Sequence, residues 1–157
     1  MVLNTPTGVQ IYNPTSEDLC TLLKQDGALW TQGSGSASLC KSGDLVKNRE
    51  EELMFYRDSE YGYVVLQLDD YKAYINDKKD KNTYVVHHIG GEPFPVPLCF
   101  FMSYEQAEEI LLHYLDTGDK LNYDKWFDIH NNFDADAYYE SEDYNKGTKL
   151  LKGYTIL

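Results

Sequence analysis

Three strand-forming segments in close succession constrain the fold of this chain more than any other feature. The segments ELMFYR, YVVLQL and TYVVHHI, between Glu52 and Ile89, are rich in β-branched and aromatic residues. Polar turns separate them, and YKAYI in the second connection offers a further short strand. Within YVVLQL, successive side chains must fall on opposite faces of a sheet. The pattern predicts an antiparallel β-meander.

A helix is predicted over residues 102–118, MSYEQAEEILLHYLDTG. Ser103 is a natural N-cap, and Gln106, three residues later, completes a capping box. Leu111 and Leu115 belong to an apolar stripe with spacings of three and four, which predicts a buried face. Gly118 suits the left-handed conformation that ends many helices. Ser103, Leu111, Leu115 and Gly118 are therefore predicted to have structural roles.

The flanking segments complete an α+β prediction. A strand is expected at Val9 to Tyr12, followed by a helix that Thr15 or Ser16 caps and Gly27 ends. ALWTQGSGSASLC is predicted as a strand, a turn and a further strand, and GGEPFPVP as a stiff loop, because proline cannot donate to a ladder. The predicted fold is an antiparallel sheet flanked by helices in one compact domain. Its parts are an α+β unit over 1–130, an acidic tyrosine-rich loop over 131–147, and a segment over 148–157 that returns to the core.

Charge and cysteine usage limit the function classes. The chain has 26 acidic and 14 basic residues and a net charge of −12, which argues against unaided binding of nucleic acid. A basic protein partner, or simple solubility, fits this charge better. Cys20, Cys40 and Cys99 are widely spaced and indicate neither a zinc site nor a disulfide framework. The sequence contains neither a signal-peptide pattern nor an apolar run that could span a bilayer, so we expect a soluble cytoplasmic protein.

The histidines provide little support for catalysis. His87 and His88 are adjacent in a predicted strand and would point to opposite faces, so they cannot chelate one ion together. The sequence contains no HExxH, GxSxG, phosphate-loop or dinucleotide motif. We therefore expect no catalytic residue, no metal and no cofactor. The alternative is a small enzyme that uses His113 or His130.

An acidic tract, DIHNNFDADAYYESEDYN, spans Asp128 to Asn145 and contains no Lys or Arg. It is either a solvated surface segment or a recognition surface, because carboxylates steer a basic partner and tyrosines anchor it. A second acidic and aromatic patch lies in the meander turns and competes with it. The candidate partner-binding residues are Asp58, Glu60, Tyr61, Asp69, Asp70 and Tyr71 in the turns, and Asp134, Asp136, Tyr138, Tyr139, Glu140, Glu142 and Asp143 in the tract.

The block from Pro95 to Trp126 resembles the immunity proteins of bacterial polymorphic toxin systems, in particular the family encoded beside toxins of the deaminase superfamily. In that family a proline-flanked strand leads into a helix with a recurrent pattern and then a tryptophan. The matching residues here are Pro97, Glu105 with Ala107, Leu111 and Leu115, Thr117 with Gly118, and Trp126. The family usually has a proline before the tryptophan, where this chain has DKLNYDKW. Trp126 is expected to be structural.

The resemblance implies an inhibitor that acts by binding. It would occlude the basic substrate groove or the active site of a cognate toxin, expected to be a nucleic-acid deaminase, in a one-to-one complex without a cofactor. The alternative is an acidic nucleic-acid mimic or interaction module that binds a basic host protein.

Overall fold

Two antiparallel sheets and four helices make up the described part of the chain, which confirms the predicted α+β class. The computed structural model describes residues 1–41, 52–67, 71–129 and 138–152. The strands are β1 (Val2–Asn4), β2 (Gln10–Tyr12), β3 (Ala37–Cys40), β4 (Glu52–Asp58), β5 (Gly62–Gln67), β6 (Lys72–Tyr74), β7 (Thr83–Ile89), β8 (Glu92–Pro97), β9 (Trp126–Asp128) and β10 (Leu150–Lys152). The helices are α1 (Ser16–Leu23), α2 (Gly27–Thr31), α3 (Tyr104–Thr117) and α4 (Glu142–Lys146).

The predicted meander forms the centre of a seven-stranded sheet with the order β2-β1-β3-β4-β5-β6-β9. Phe55 of β4 pairs with Val65 of β5, and Tyr56 pairs with Val64; all four side chains are buried. Phe55 contacts Trp30 of α2, whereas the ring of Tyr56 stacks on His87 of β7. Because adjacent residues of a strand point to opposite faces, these two strands are covered on both sides. This explains the apolar runs at residues 53–56 and 63–66.

Helix α3 has the predicted ends. The Ser103 hydroxyl accepts from the Gln106 N–H, the Gln106 side chain accepts from the Ser103 N–H, and Gly118 adopts the left-handed conformation with φ 74°. Leu111 is fully buried, and Leu115 is partly buried against the same core. The capping and burial of α3 therefore follow the prediction.

The prediction for residues 24–31 was wrong. Helix α1 ends with Lys24 as its C-cap, not at Gly27, and Gly27 instead begins α2. ALWT is thus part of a helix and not a strand. The fully buried indole of Trp30 lies 6.0 Å from the Phe55 ring, measured between ring centroids, and this tertiary contact favours the helix over local strand propensity.

The segment GGEPFPVP was also predicted wrongly, because β8 is a strand and not a stiff loop. Gly90 and Gly91 form the turn with positive φ angles, and β8 pairs with β7. The Val86 N–H points toward β10 and donates to the Lys149 carbonyl at 2.8 Å. Val86 therefore forms no hydrogen bond with Pro95, the residue opposite it in β8, and the missing N–H of Pro95 costs no hydrogen bond between β7 and β8. Prolines at every second position of an edge strand are compatible with pairing on its inner side.

The second sheet has the order β10-β7-β8 and a small core of its own. Tyr84, Val86 and Leu151 are buried there together with Tyr138. Two elements come from the C-terminal part of the chain: α4 lies within the predicted 131–147 loop, and β10 lies within the predicted C-terminal segment. The described part of the 131–147 segment is therefore folded onto β7 and is not simply a loop.

Candidate partner-binding face

Tyr138, Tyr139 and Tyr144 form a cluster of three mutually contacting rings beside the second sheet. Their centroids are 5.2 to 5.6 Å apart. Tyr138 is only 2% exposed and anchors the cluster, whereas Tyr139 and Tyr144 are 38% and 40% exposed. The Tyr139 hydroxyl donates to the Pro93 carbonyl at 3.1 Å, which attaches the cluster to β8. The cluster therefore presents two rigid aromatic rings at the surface.

Three carboxylates lie next to these rings in the chain. Ser141 caps α4 by accepting from the Tyr144 N–H, which places Glu142 and Asp143 in the first turn, where the helix dipole favours negative charge. Glu140 is exposed directly before the cap. Lys146 forms an exposed ion pair with Glu142 at 2.6 Å, a type of contact that contributes little to stability. The exposed part of α4 and its cap is thus acidic and aromatic, as the sequence predicts.

A groove of about 390 Å³ lies between this cluster and the second sheet. Its walls come from β7, β8 and the residues around α4. The lining residues are Val86, His88, Pro93, Tyr138, Tyr144, Asn145, Gly147 and Lys149. Burial, and then the neighbouring Tyr144, raise the pKa of Tyr139, so this phenol at the edge of the face stays neutral and remains a donor.

Asp58 does not belong to a partner surface, because it is only 4% exposed. One carboxylate oxygen accepts the backbone N–H groups of Glu60 and Tyr61, which fixes the turn between β4 and β5. The other lies 3.1 Å from Nδ1 of His87 and 2.7 Å from Nζ of Lys149. Burial pushes the pKa of Asp58 upward, but the hydrogen bonds from His87 and Lys149 outweigh it and hold this pKa well below its usual range.

Lys149 connects the two predicted patches. Its ammonium group pairs with Asp58, lies 5.7 Å from the centroid of the Tyr61 ring, and its side chain lines the groove with Tyr138 and Tyr144. The meander turn and the acidic tract, far apart in sequence, thus meet on one face. We call the groove, the exposed rings of Tyr139 and Tyr144, and the carboxylates of Glu140, Glu142 and Asp143 the tyrosine face.

The remaining candidates are distributed differently. Glu60 is exposed and Tyr61 half-buried at the β4–β5 turn, next to the tyrosine face. Tyr71 is exposed beside β9, where its carbonyl accepts from the Ile129 N–H, and it does not line the groove. Tyr138 lines the groove but is only 2% exposed, so it mainly supports the two exposed rings. Asp69, Asp70, Asp134 and Asp136 lie outside the described residues.

Sequence reasoning missed His88, Pro93 and Lys149 as members of this face. Pro93 belonged to a segment predicted as a loop, and no local pattern marks Lys149, which lies 91 residues from its partner Asp58. The exposed His88 side chain points away from its buried neighbour His87, as the alternation of a strand predicts.

The candidate catalytic histidines do not converge in the described structure. His87 is buried under Tyr56, His113 is half-buried on α3, and His130 lies outside the described residues. Within residues 1–41, 52–67, 71–129 and 138–152, the acidic, histidine and cysteine side chains form no group of three or more that could hold a metal ion. Cys20, Cys40 and Cys99 are all free thiols.

Comparison with known proteins leaves this face as the main guide to function. No family model, curated protein or solved structure matches the chain. None of the helices in the described part of the chain combines the length and the apolar character needed to cross a membrane.

Proposed function

We propose that this protein is an inhibitor that acts by binding, and specifically an immunity protein that neutralises a cognate bacterial toxin in the cytoplasm. The observation that carries the proposal is the tyrosine face, where Tyr144 lines a groove of about 390 Å³, and the exposed Tyr139 ring and the carboxylates of Glu140, Glu142 and Asp143 belong to the same segment. Interface hot spots favour this composition, because tyrosine supplies large, stiff contact area with a polar tip.

The charge of the tyrosine face favours a basic partner. Glu140, Glu142 and Asp143 are part of the net charge of −12, which would steer a positively charged protein toward the complex. A partner arginine or lysine inserted between these carboxylates and the Tyr144 ring would gain an ion pair and a cation–π contact together. Two cations lie on the same face, and each already has a carboxylate partner: Lys149 pairs with Asp58, and Lys146 pairs with Glu142.

The resemblance of residues 95–126 supports a toxin of the deaminase superfamily as the partner. Nucleic-acid deaminases bind their substrate in a basic groove beside a zinc-activated water and capture a base there. Carboxylates of the tyrosine face would replace the phosphates in that groove, and Tyr139 and Tyr144 would replace stacked bases. Inhibition of this kind needs no catalytic residue and no cofactor in the inhibitor.

The test is to purify the protein with the toxin encoded by the adjacent gene and to measure their complex by calorimetry and stopped-flow kinetics. The triple variant Glu140→Lys, Glu142→Lys and Asp143→Lys should weaken binding at least tenfold, chiefly by slowing association at low salt. The matched control reverses Glu109, Asp116 and Asp119, which are exposed and change the net charge equally; in the test variant Glu140 and Glu142 are exposed and Asp143 is half-buried. Absence of a complex, or an equal effect in the control, would contradict the proposal.

The net charge of −12 also supports a second candidate, an acidic nucleic-acid mimic that binds basic proteins generally. The two functions differ in selectivity, because an immunity protein must choose one toxin. Unrelated basic proteins such as lysozyme and cytochrome c should therefore bind at least a hundredfold more weakly than the toxin. Comparable affinities would favour the mimic.

A further inference from the structure

Strand β2 is the outer strand of the seven-stranded sheet, and its outer edge pairs with no strand in the described chain. Toward β1, the Thr5 N–H donates to the Val9 carbonyl and the Asn13 N–H donates to the Met1 carbonyl, both at 2.9 Å. Backbone groups of successive strand residues alternate between the two edges. Gln10 and Tyr12 therefore direct their N–H and C=O groups outward.

This edge lacks the usual protection against strand pairing. Natural sheets protect their edges with prolines, charged side chains or bulges. In the same molecule, β8 carries three prolines at alternate positions, whereas Gln10–Tyr12 contains neither a proline nor a charge. Tyr12 is 64% exposed beside this edge. Prolines thus protect the outer edge of β8 from pairing with another strand, whereas β2 has no such protection.

A groove of about 410 Å³ lies along β2 on the α1 side. Val9 and Ile11, which lie on the face of β2 opposite Gln10 and Tyr12, line it together with Leu22 and Leu29. Glu17 and Asp18, in the first turn of α1, also line the groove. A strand added to β2 would place every second side chain over this groove.

We propose that the β2 edge binds an extended segment of a partner protein in which apolar residues alternate with lysine or arginine. The outward backbone groups of Gln10 and Tyr12 would pair with the segment, and its apolar side chains would cover Val9, Ile11 and Leu22, the arrangement known as β-augmentation. The lysine or arginine side chains of the segment would lie on the opposite face of the added strand, so Glu17 and Asp18 would favour them by attraction over a distance and not by ion pairs. No described residue lining the groove is a lysine or arginine.

Electrostatics favours a basic partner over a second copy of this chain. Pairing two β2 edges would bring together two chains of net charge −12 and the Glu17 side chains beside each edge. The β2 groove shares no lining residue with the groove of the tyrosine face. The inference therefore stands or fails independently of the proposed function.

A defined peptide tests the inference directly. The probe is an acetylated and amidated peptide, Lys-Val-Lys-Val-Lys-Val-Lys, titrated into the ¹⁵N-labelled protein. We expect saturable chemical-shift changes at the amides of Gln10 and Tyr12, and at least tenfold weaker binding of the matching Glu-Val peptide. N-methylation of alternate peptide amides should abolish binding, because it removes the donors of the added strand. Absence of saturable shifts at β2, or equal binding of the Glu-Val peptide, overturns the inference.

Protein variants separate the backbone contribution from the charge contribution. Tyr12→Pro removes an outward N–H without removing a hydrogen bond to β1, and should weaken Lys-Val binding at least tenfold. Tyr12→Thr keeps that N–H and should bind nearly as the parent does. Glu17→Lys should weaken binding, whereas Glu109→Lys on α3 should not; urea unfolding checks that each variant is folded. Unchanged binding by folded Tyr12→Pro overturns the inference, as does a concentration-dependent dimer that Tyr12→Pro dissociates, because the edge would then belong to a second copy.

Discussion

Nδ1 of His87 lies 3.1 Å from the Oδ2 atom of Asp58, and both side chains are buried. The same carboxylate also accepts from Lys149 and from two N–H groups of the β4–β5 turn. One carboxylate thus links the meander, β7 and the residue that precedes β10. This contact holds the second sheet, and with it the tyrosine face, against the larger sheet.

Asp58→Ala should therefore lower the free energy of unfolding by about 3 to 5 kcal/mol, because it leaves a buried network without its acceptor. Urea unfolding followed by circular dichroism measures the change. Asp77→Ala is the matched control, since the Asp77 carboxylate pairs with Lys125 at an exposed site and its loss should shift the unfolding midpoint little. Equal effects in the two variants would contradict a buried linking role for Asp58.

The depressed pKa of Asp58 predicts a loss of stability in acid. Below the unfolded value of about 3.9, the unfolded chain binds a proton at this site and the folded chain does not, so the free energy of unfolding falls as pH falls. Above that value the contribution of Asp58 is fully present. Unfolding free energies measured in urea between pH of about 5 and 3 should fall less steeply for Asp58→Asn than for the parent.

The control for this pH dependence is Asp77→Asn. The hydrogen bond from Lys125 lowers the pKa of Asp77 as well, but this exposed group is screened by solvent, so the variant should keep nearly the slope of the parent. If Asp58→Asn has the same slope as the parent, Asp58 does not contribute to acid sensitivity.

Local patterns were sufficient to predict the elements whose causes are local. Ser103 and Gly118 mark the ends of α3 because capping depends on residues within one turn. Strands β4 and β5 were predictable because their β-branched and aromatic residues suit a sheet covered on both faces. The tyrosines and carboxylates around α4 were identified by composition alone.

The remaining features depend on contacts between distant residues. Trp30 favours a helix in α2 because Phe55 lies across from it, and Pro95 is compatible with a strand only because β8 is an edge. The sequence marks Asp58 as a polar turn residue, whereas its burial depends on His87 and on Lys149 near the other end of the chain. Such pairings cannot be inferred from one sequence. Asp58 was therefore predicted to lie on a partner surface, whereas it is buried and links the two sheets.

Gly62, which begins β5, should tolerate no side chain. Its φ is +101°, and a Cβ there would lie 2.2 Å from the Met102 carbonyl oxygen, where Tyr63 and Met102 pair. Gly91 has a similar φ of +89° but open space around the position of a Cβ. Gly62→Ala should therefore be clearly more destabilising than Gly91→Ala, which carries only the conformational cost of about 1 kcal/mol. Thermal unfolding of both variants measures the difference. Equal melting temperatures would contradict the prediction and would mean that the backbone at Met102 moves to accommodate the methyl group.

Trp126→Ala tests whether the tryptophan at the end of the block 95–126 has a structural role. Its ring is buried, meets Tyr74 edge to face at 5.6 Å, and donates from Nε1 to the Leu121 carbonyl at 2.9 Å. Removing it should lower the free energy of unfolding by about 3 to 5 kcal/mol.

Unfolding should be followed by circular dichroism, because the change removes one of two tryptophans. Trp126→Phe loses the Nε1 donor but keeps an aromatic ring in the core, so it should lower the free energy of unfolding less than Trp126→Ala does. Tyr123→Ala, an exposed aromatic nearby, is the control and should change stability little. A stable Trp126→Ala variant that no longer binds the toxin would instead place Trp126 in the interface.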